Sequence, residues 1–109
     1  MSNPIVILST AGSEQEASKI AEHLVINRLA ACVNIVPEIL SVYRWKGDMN
    51  REKEVLMIIK TDASLFIEIE QAVRHLHSYE VPELIAFPIQ QGLQGYMDWI
   101  QESVSKKEA

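Results

Sequence analysis

The stretch from Cys32 to Trp45 constrains the fold more than any other part of this chain. Cys32-Val33-Asn34-Ile35-Val36, a break at Pro37-Glu38, and then Ile39-Leu40-Ser41-Val42-Tyr43-Arg44-Trp45 are rich in β-branched and aromatic residues and carry no helical period. The turn residues Lys46-Gly47-Asp48-Met49-Asn50 lead back into Glu54 to Thr61, whose centre is unbroken apolar. This pattern predicts a hairpin. Extended at about 3.3 Å per residue, positions 32 to 46 would reach roughly 50 Å, whereas a compact domain of this length has a radius of gyration near about 13 Å. Either Pro37 divides the arm into two short strands, or the hairpin projects beyond its own domain. Tyr43 and Trp45 lie on one face by period two, and a projecting tryptophan forfeits its burial energy unless something covers it. They are expected to be anchors of an interface with other copies of the chain. The alternative is that they fold back onto their own core.

The flanking segments complete a pattern. Ile5 to Leu8 is a wholly apolar run, expected as a strand buried on both faces. It ends in Ser9-Thr10-Ala11-Gly12. Ser13 and Glu16 form a capping box for a helix whose stripe is Ala17, Ile20, Ala21, Leu24 and Leu29. Asp62 or Ser64 caps a second helix with Phe66, Ile69, Val73 and Leu76 on its apolar face. Leu84 to Ile89 reads as a strand, with Pro88 at an edge or end. A last short helix uses Tyr96, Met97, Trp99 and Ile100. The order β-α-β-β-α-β plus a terminal helix is the ferredoxin-like arrangement, an α/β (α+β) fold expected as a single domain over 1–109. Right-handed crossovers put both main helices on one face of the sheet. The other face is left apolar and open, which again predicts association.

Charge and composition narrow the function classes. Ten basic against fifteen acidic side chains give a net charge of −5, which argues against nucleic acid, and the one adjacent basic pair is Lys106-Lys107 in a polar tail. No apolar run approaches the roughly 18 residues that span a bilayer, so no membrane partner is expected. The N-terminus lacks a charged, apolar leader. Cys32 is the single cysteine, which excludes an internal disulfide framework and fits a reducing compartment; a cytoplasmic location is expected.

Soft-metal ligands are few: Cys32, His23, His75 and His77. Copper or zinc needs thiolate or imidazole groups converging from two or three positions. Cys32 is read either as a small packing residue or as a ligand. His77 either orders the Tyr79-Glu80 loop or touches a metal, with Glu80 or Glu83 as oxygen ligands of a weak site. Cys32 with His77 is the one Cys-His combination available for nucleophilic catalysis, and no nucleophile motif flanks it, so no enzymatic activity and no required cofactor are expected. The small residues Ser9 to Ser13 at a helix N-terminus offer a further reading, a small anionic ligand.

Several blocks carry a resemblance. Ala31 to Pro37, Ser41 to Gly47, Glu54-Val55 to Lys60-Thr61, His77 to Glu83 and Tyr96 to Ile100 resemble, in order, the signature segments of the CutA family of divalent-cation tolerance proteins. The resemblance implies a ferredoxin-like homotrimer related in architecture to PII signalling proteins, with strands extending sheets between subunits. It also implies a link to tolerance of copper and other divalent cations, with metal ions as weak ligands, or a PII-like sensing role as the alternative. Tyr43 and Trp45 become trimer-interface residues. His77 matches a ligand position of members with a proposed metal site, whose cysteine falls where this chain has Ser9.

Overall fold

Alternation along β1 (Pro4–Ala11) assigns the two faces of the sheet: Ile5, Ile7, Ser9 and Ala11 are buried, while Val6 and Leu8 are half-buried. In the computed structural model, which describes residues 2–105, β3 (Asp48–Asp62) runs antiparallel to β1. It sets Thr61, Ile59, Met57 and Val55 opposite those four buried residues. The helices α1 (Glu14–Ile26), α2 (Phe66–Leu76) and α3 (Gln94–Val104) contribute Ile20, Leu24, Ile69, Val73, Ile100 and Val104 to one core with them. With β2 (Cys32–Trp45) and β4 (Ile85–Pro88), the sheet order is β2-β3-β1-β4, every neighbour antiparallel. This is the expected ferredoxin-like order. Lys106-Lys107 lie outside the described residues.

The opposite face carries Val6, Leu8, Leu56, Ile58, Ile85 and Phe87 by register. Among the described residues no helix packs there, and Phe87 stays 49% exposed.

The arm resolves its own alternatives. Pro37 does not divide it: β2 is one strand, and the molecule measures 48 × 29 × 22 Å, so the hairpin projects. Between Val36, opposite Leu56, and Ile39, opposite Glu54, two residues of β2 face one of β3. That is a β-bulge, and Pro37, with no N–H to donate, suits it. The bulge shifts the alternation by one. Cys32, Asn34 and Val36 before it therefore share the open face with Ile39, Ser41, Tyr43 and Trp45 beyond it.

The turn is tighter than expected, only Lys46 and Gly47, with φ of 51° and 85°. Two left-handed residues match the twist of the flanking strands. β3 therefore starts at Asp48, not at Glu54; Asp48 to Lys53 is polar apart from the exposed Met49, and in the single chain both sides of the arm meet solvent. Leu29 also departs from expectation. α1 stops at Ile26, Arg28 adopts φ of 57°, and the Leu29 and Ala30 amides both donate to the Leu24 carbonyl. Leu29 reaches the core through this reversal and not as part of the helical stripe.

Candidate ligand cleft

His77 is the first residue beyond α2, and its side chain is only 8% exposed. Its Nδ1 lies 3.0 Å from the Tyr79 amide, which can only donate, so Nδ1 accepts. Nε2, 2.6 Å from the Thr10 carbonyl oxygen, must then carry the proton and donate. Both ring nitrogens are committed to backbone, in the neutral form, and neither keeps a lone pair for a metal. The ring also packs against Tyr79, centroids 4.6 Å apart. His77 thus orders its loop, one of the two roles the sequence left open. We expect His77→Ala to cost about 2 kcal/mol of stability by stranding a buried donor and acceptor. Calorimetric titration with Cu(II) should give the same isotherm as wild type.

Two further bonds fasten the same loop. Ser9, fully buried, donates from Oγ to the Glu83 carbonyl at 2.6 Å. The expected capping box is only half built: Ser13 Oγ accepts the Glu16 amide at 3.1 Å, but the Glu16 carboxylate turns instead to the Ser78 amide at 2.7 Å and the Ser78 hydroxyl at 3.1 Å. Burial pushes the Glu16 carboxyl up, but the hydrogen bonds from the Ser78 hydroxyl and amide outweigh it and hold it below the usual value. Asp62 is lowered likewise: burial is outweighed by hydrogen bonds from Ser64 and the Asn3 amide. A carboxyl lowered in the fold stabilises it above the unfolded-state value, and that contribution is lost as pH falls through the folded value. Glu16→Gln should therefore lower stability at neutral pH and flatten the acid limb of a stability-versus-pH curve measured by urea unfolding.

Held this way, the loop brings Tyr79 to Glu54. Its hydroxyl donates to Glu54 Oε2 at 2.6 Å, and Glu54, on the open face, is 8% exposed. Burial first, and then the Glu54 carboxylate, push the Tyr79 hydroxyl far above its ordinary value. On the arm Tyr43 donates to Glu52, which raises Tyr43 in turn. Glu83 is raised by burial and by the charge of Glu54. These side chains, with Thr10 and Trp45, line a cleft of about 700 Å³ between the loop and the open face of the arm.

Cys32 is elsewhere. It pairs with Lys60, across from Val6, whereas His77 is bonded at Thr10. Four residues along β1 separate those rows by about 13 Å. The shared Cys32–His77 site considered from sequence is therefore not formed within one chain. The half-buried Cys32 thiol lies 3.8 Å from Asn34 Oδ1. His23 and His75 sit exposed on α1 and α2. Among the described residues no three His, Cys, Asp or Glu side chains gather as a metal site. At the anion position, Glu14 and Glu16 already supply negative charge to the first turn of α1. Glu52 and Glu54 were missed from sequence. Their one signal was an acidic pair, two apart, just before an apolar run.

Comparison with known proteins agrees with this geometry. The sequence profile of the CutA1 divalent ion tolerance protein family matches residues 5–103. The divalent-cation tolerance protein CutA of Thermus thermophilus is 46% identical over 98 residues, 90% of this chain and 95% of that one. Protein CutA of Mus musculus is 48% identical over 99 residues, 88% of this chain but 56% of its own length, so the chain spans about half of that relative. A solved structure described as the periplasmic divalent cation tolerance protein CutA of Archaeoglobus fulgidus superposes with a TM-score of 0.91 at 41% identity, covering 94% of this chain and 99% of that one. No helix among the described residues is long and apolar enough to cross a membrane. The chain belongs to the CutA1 divalent ion tolerance family.

Proposed function

We propose that this protein acts in tolerance of divalent cations as a homotrimer whose β2–β3 arms join neighbouring subunits. The observation that carries this reading is the arm: a projecting hairpin with Tyr43 37% and Trp45 48% exposed, on the same face as the uncovered apolar sheet. Both sheet edges, β2 and the four-residue β4, have unpaired ladder groups, which suit extension of one subunit's sheet by another's. The number three comes from the family resemblance. Copper contact, in this reading, is weak and incomplete on one chain: a single thiol at Cys32, and carboxylates at Glu80 and Glu83 well away from it. No catalytic role is assigned, because no nucleophile motif flanks Cys32 and His77 is bonded at Thr10, away from it. The unpaired thiol favours the cytoplasm, although the Archaeoglobus relative is described as periplasmic. The cleft favours a second reading, PII-like sensing of a small molecule between subunits. Native mass spectrometry with and without Cu(II) tests the main reading. The expected result is one species of three chains of 12.4 kDa each, with copper adducts that wash off on desalting. Single chains, each holding one copper tightly, would contradict it.

A further inference from the structure

The loop after α2 is fastened by side chains alone. Residues 78–82 belong to no helix or strand, and among the described residues no backbone–backbone hydrogen bond reaches them. Glu16 holds the Ser78 amide, His77 Nδ1 holds the Tyr79 amide, and Glu54 holds the Tyr79 hydroxyl. Ser9 holds the far end through the Glu83 carbonyl. Each fastening is a single contact, so the loss of one is not shared out along a ladder.

One of these contacts depends on a free imidazole lone pair. With Nε2 donating to the Thr10 carbonyl, the ring can accept the Tyr79 amide at Nδ1 only while it is neutral. A proton at Nδ1 would set two N–H groups against each other at 3.0 Å. The charge would sit on a ring only 8% exposed, and the loop would give way more readily than the core. The groups around the ring favour that outcome. Glu16, on α1, is within electrostatic reach and attracts an imidazolium. Tyr79, on the loop, packs its ring face at 4.6 Å, and Glu54, on β3, lies beyond its hydroxyl. β1 presents only the Thr10 carbonyl, and Arg74 and His75 in the last turn of α2 are exposed. The other fastenings do not respond in the same range. Against burial, the Ser78 bonds hold Glu16 below its usual value, burial and Glu54 push the Tyr79 hydroxyl up, and the Ser9 hydroxyl carries no titrating proton.

We propose that His77 is a proton-operated latch on the 78–82 loop: neutral, it pins the Tyr79 amide and keeps the Tyr79 hydroxyl on Glu54; protonated, it releases the loop and opens the Glu54 end of the cleft. Thr10, Glu16, Glu54, His77 and Tyr79 all belong to one chain, so the latch is independent of the assembly reading.

Amide hydrogen exchange followed by nuclear magnetic resonance from pH 8 to 5, the range in which histidine ordinarily changes charge, tests it on wild type, His77→Asn and His75→Asn. Rates are corrected for the intrinsic pH dependence of exchange. In His77→Asn the side-chain oxygen can still accept the Tyr79 amide as an Asx-turn, but it takes no proton. The expected result is a protected Tyr79 amide at pH 8 whose protection falls roughly tenfold or more on acidification, while the core amide of Ile59 keeps its own. The ring nitrogens of His77 should show Nε2–H at pH 8 and titrate together with that fall. His75→Asn should behave as wild type, and His77→Asn should lose the pH step. An unprotected Tyr79 amide at pH 8, or protection unchanged down to pH 5, would overturn the proposal. So would the same step in a folded His77→Asn. If that variant does not fold, the wild type decides alone: a ring titration that does not coincide with the loss of protection overturns it.

Discussion

Replacing Trp45 by alanine together with Tyr43 by serine is expected to release single chains that remain folded. Trp45 is about half exposed in the isolated chain, at 48%, so a neighbour has roughly 100 Å² of its surface left to bury, worth about 2–3 kcal/mol at each interface. Loss at every interface of a closed ring multiplies, and the concentration at the dissociation midpoint of a trimer should rise by about two to three orders of magnitude. Tyr43 also surrenders its bond to Glu52, which fixes the ring at the cleft. Neither side chain belongs to the core cluster. The far-ultraviolet spectrum should therefore keep its shape while the mass from light scattering falls. Unchanged mass in the double variant would show that the rings fold against their own chain.

Ile7→Ala is expected to act in the opposite way. Ile7 is fully buried at the centre of the sheet, between Ile59 and Ala86. Removing its side-chain bulk takes away transfer energy and leaves a cavity, a loss of about 3–4 kcal/mol. For a chain of this size that is a large share of the roughly 5–15 kcal/mol available. Leu40→Ala is the contrast: Leu40 is 56% exposed on the arm's other face, and its loss should stay within about 0.5 kcal/mol in a separated chain. Chemical denaturation at one fixed protein concentration checks both, because coupling to assembly makes stability depend on concentration.

The core was legible because burial leaves a pattern. Ile5 to Leu8 and Val55 to Ile59 are continuous apolar runs, and Ile20, Leu24, Ile69 and Val73 recur at helical spacing. The arm was legible as extended chain but not in detail. Asp48 to Lys53 has no buried side and therefore no alternation to read. The bulge at Pro37-Glu38 shows in sequence only as a break, yet it decides that Tyr43 and Trp45 share the open face with Cys32. The cleft was least visible. Glu54 is buried by Tyr79, a residue 25 positions away, and no local pattern announces such a pairing. Glu16 looked committed to its own helix end until Ser78 claimed its carboxylate. For His77, sequence left metal contact and loop ordering both open. Two backbone partners, Thr10 and Tyr79, decide for ordering within the chain.

Association is the claim on which the arm, the open sheet face and the exposed rings all converge. Its most direct test is the mass of the wild-type protein by light scattering across a dilution series into the micromolar range. The account predicts a constant value of three chains, each 12.4 kDa, and the mass of one chain at those concentrations would contradict it.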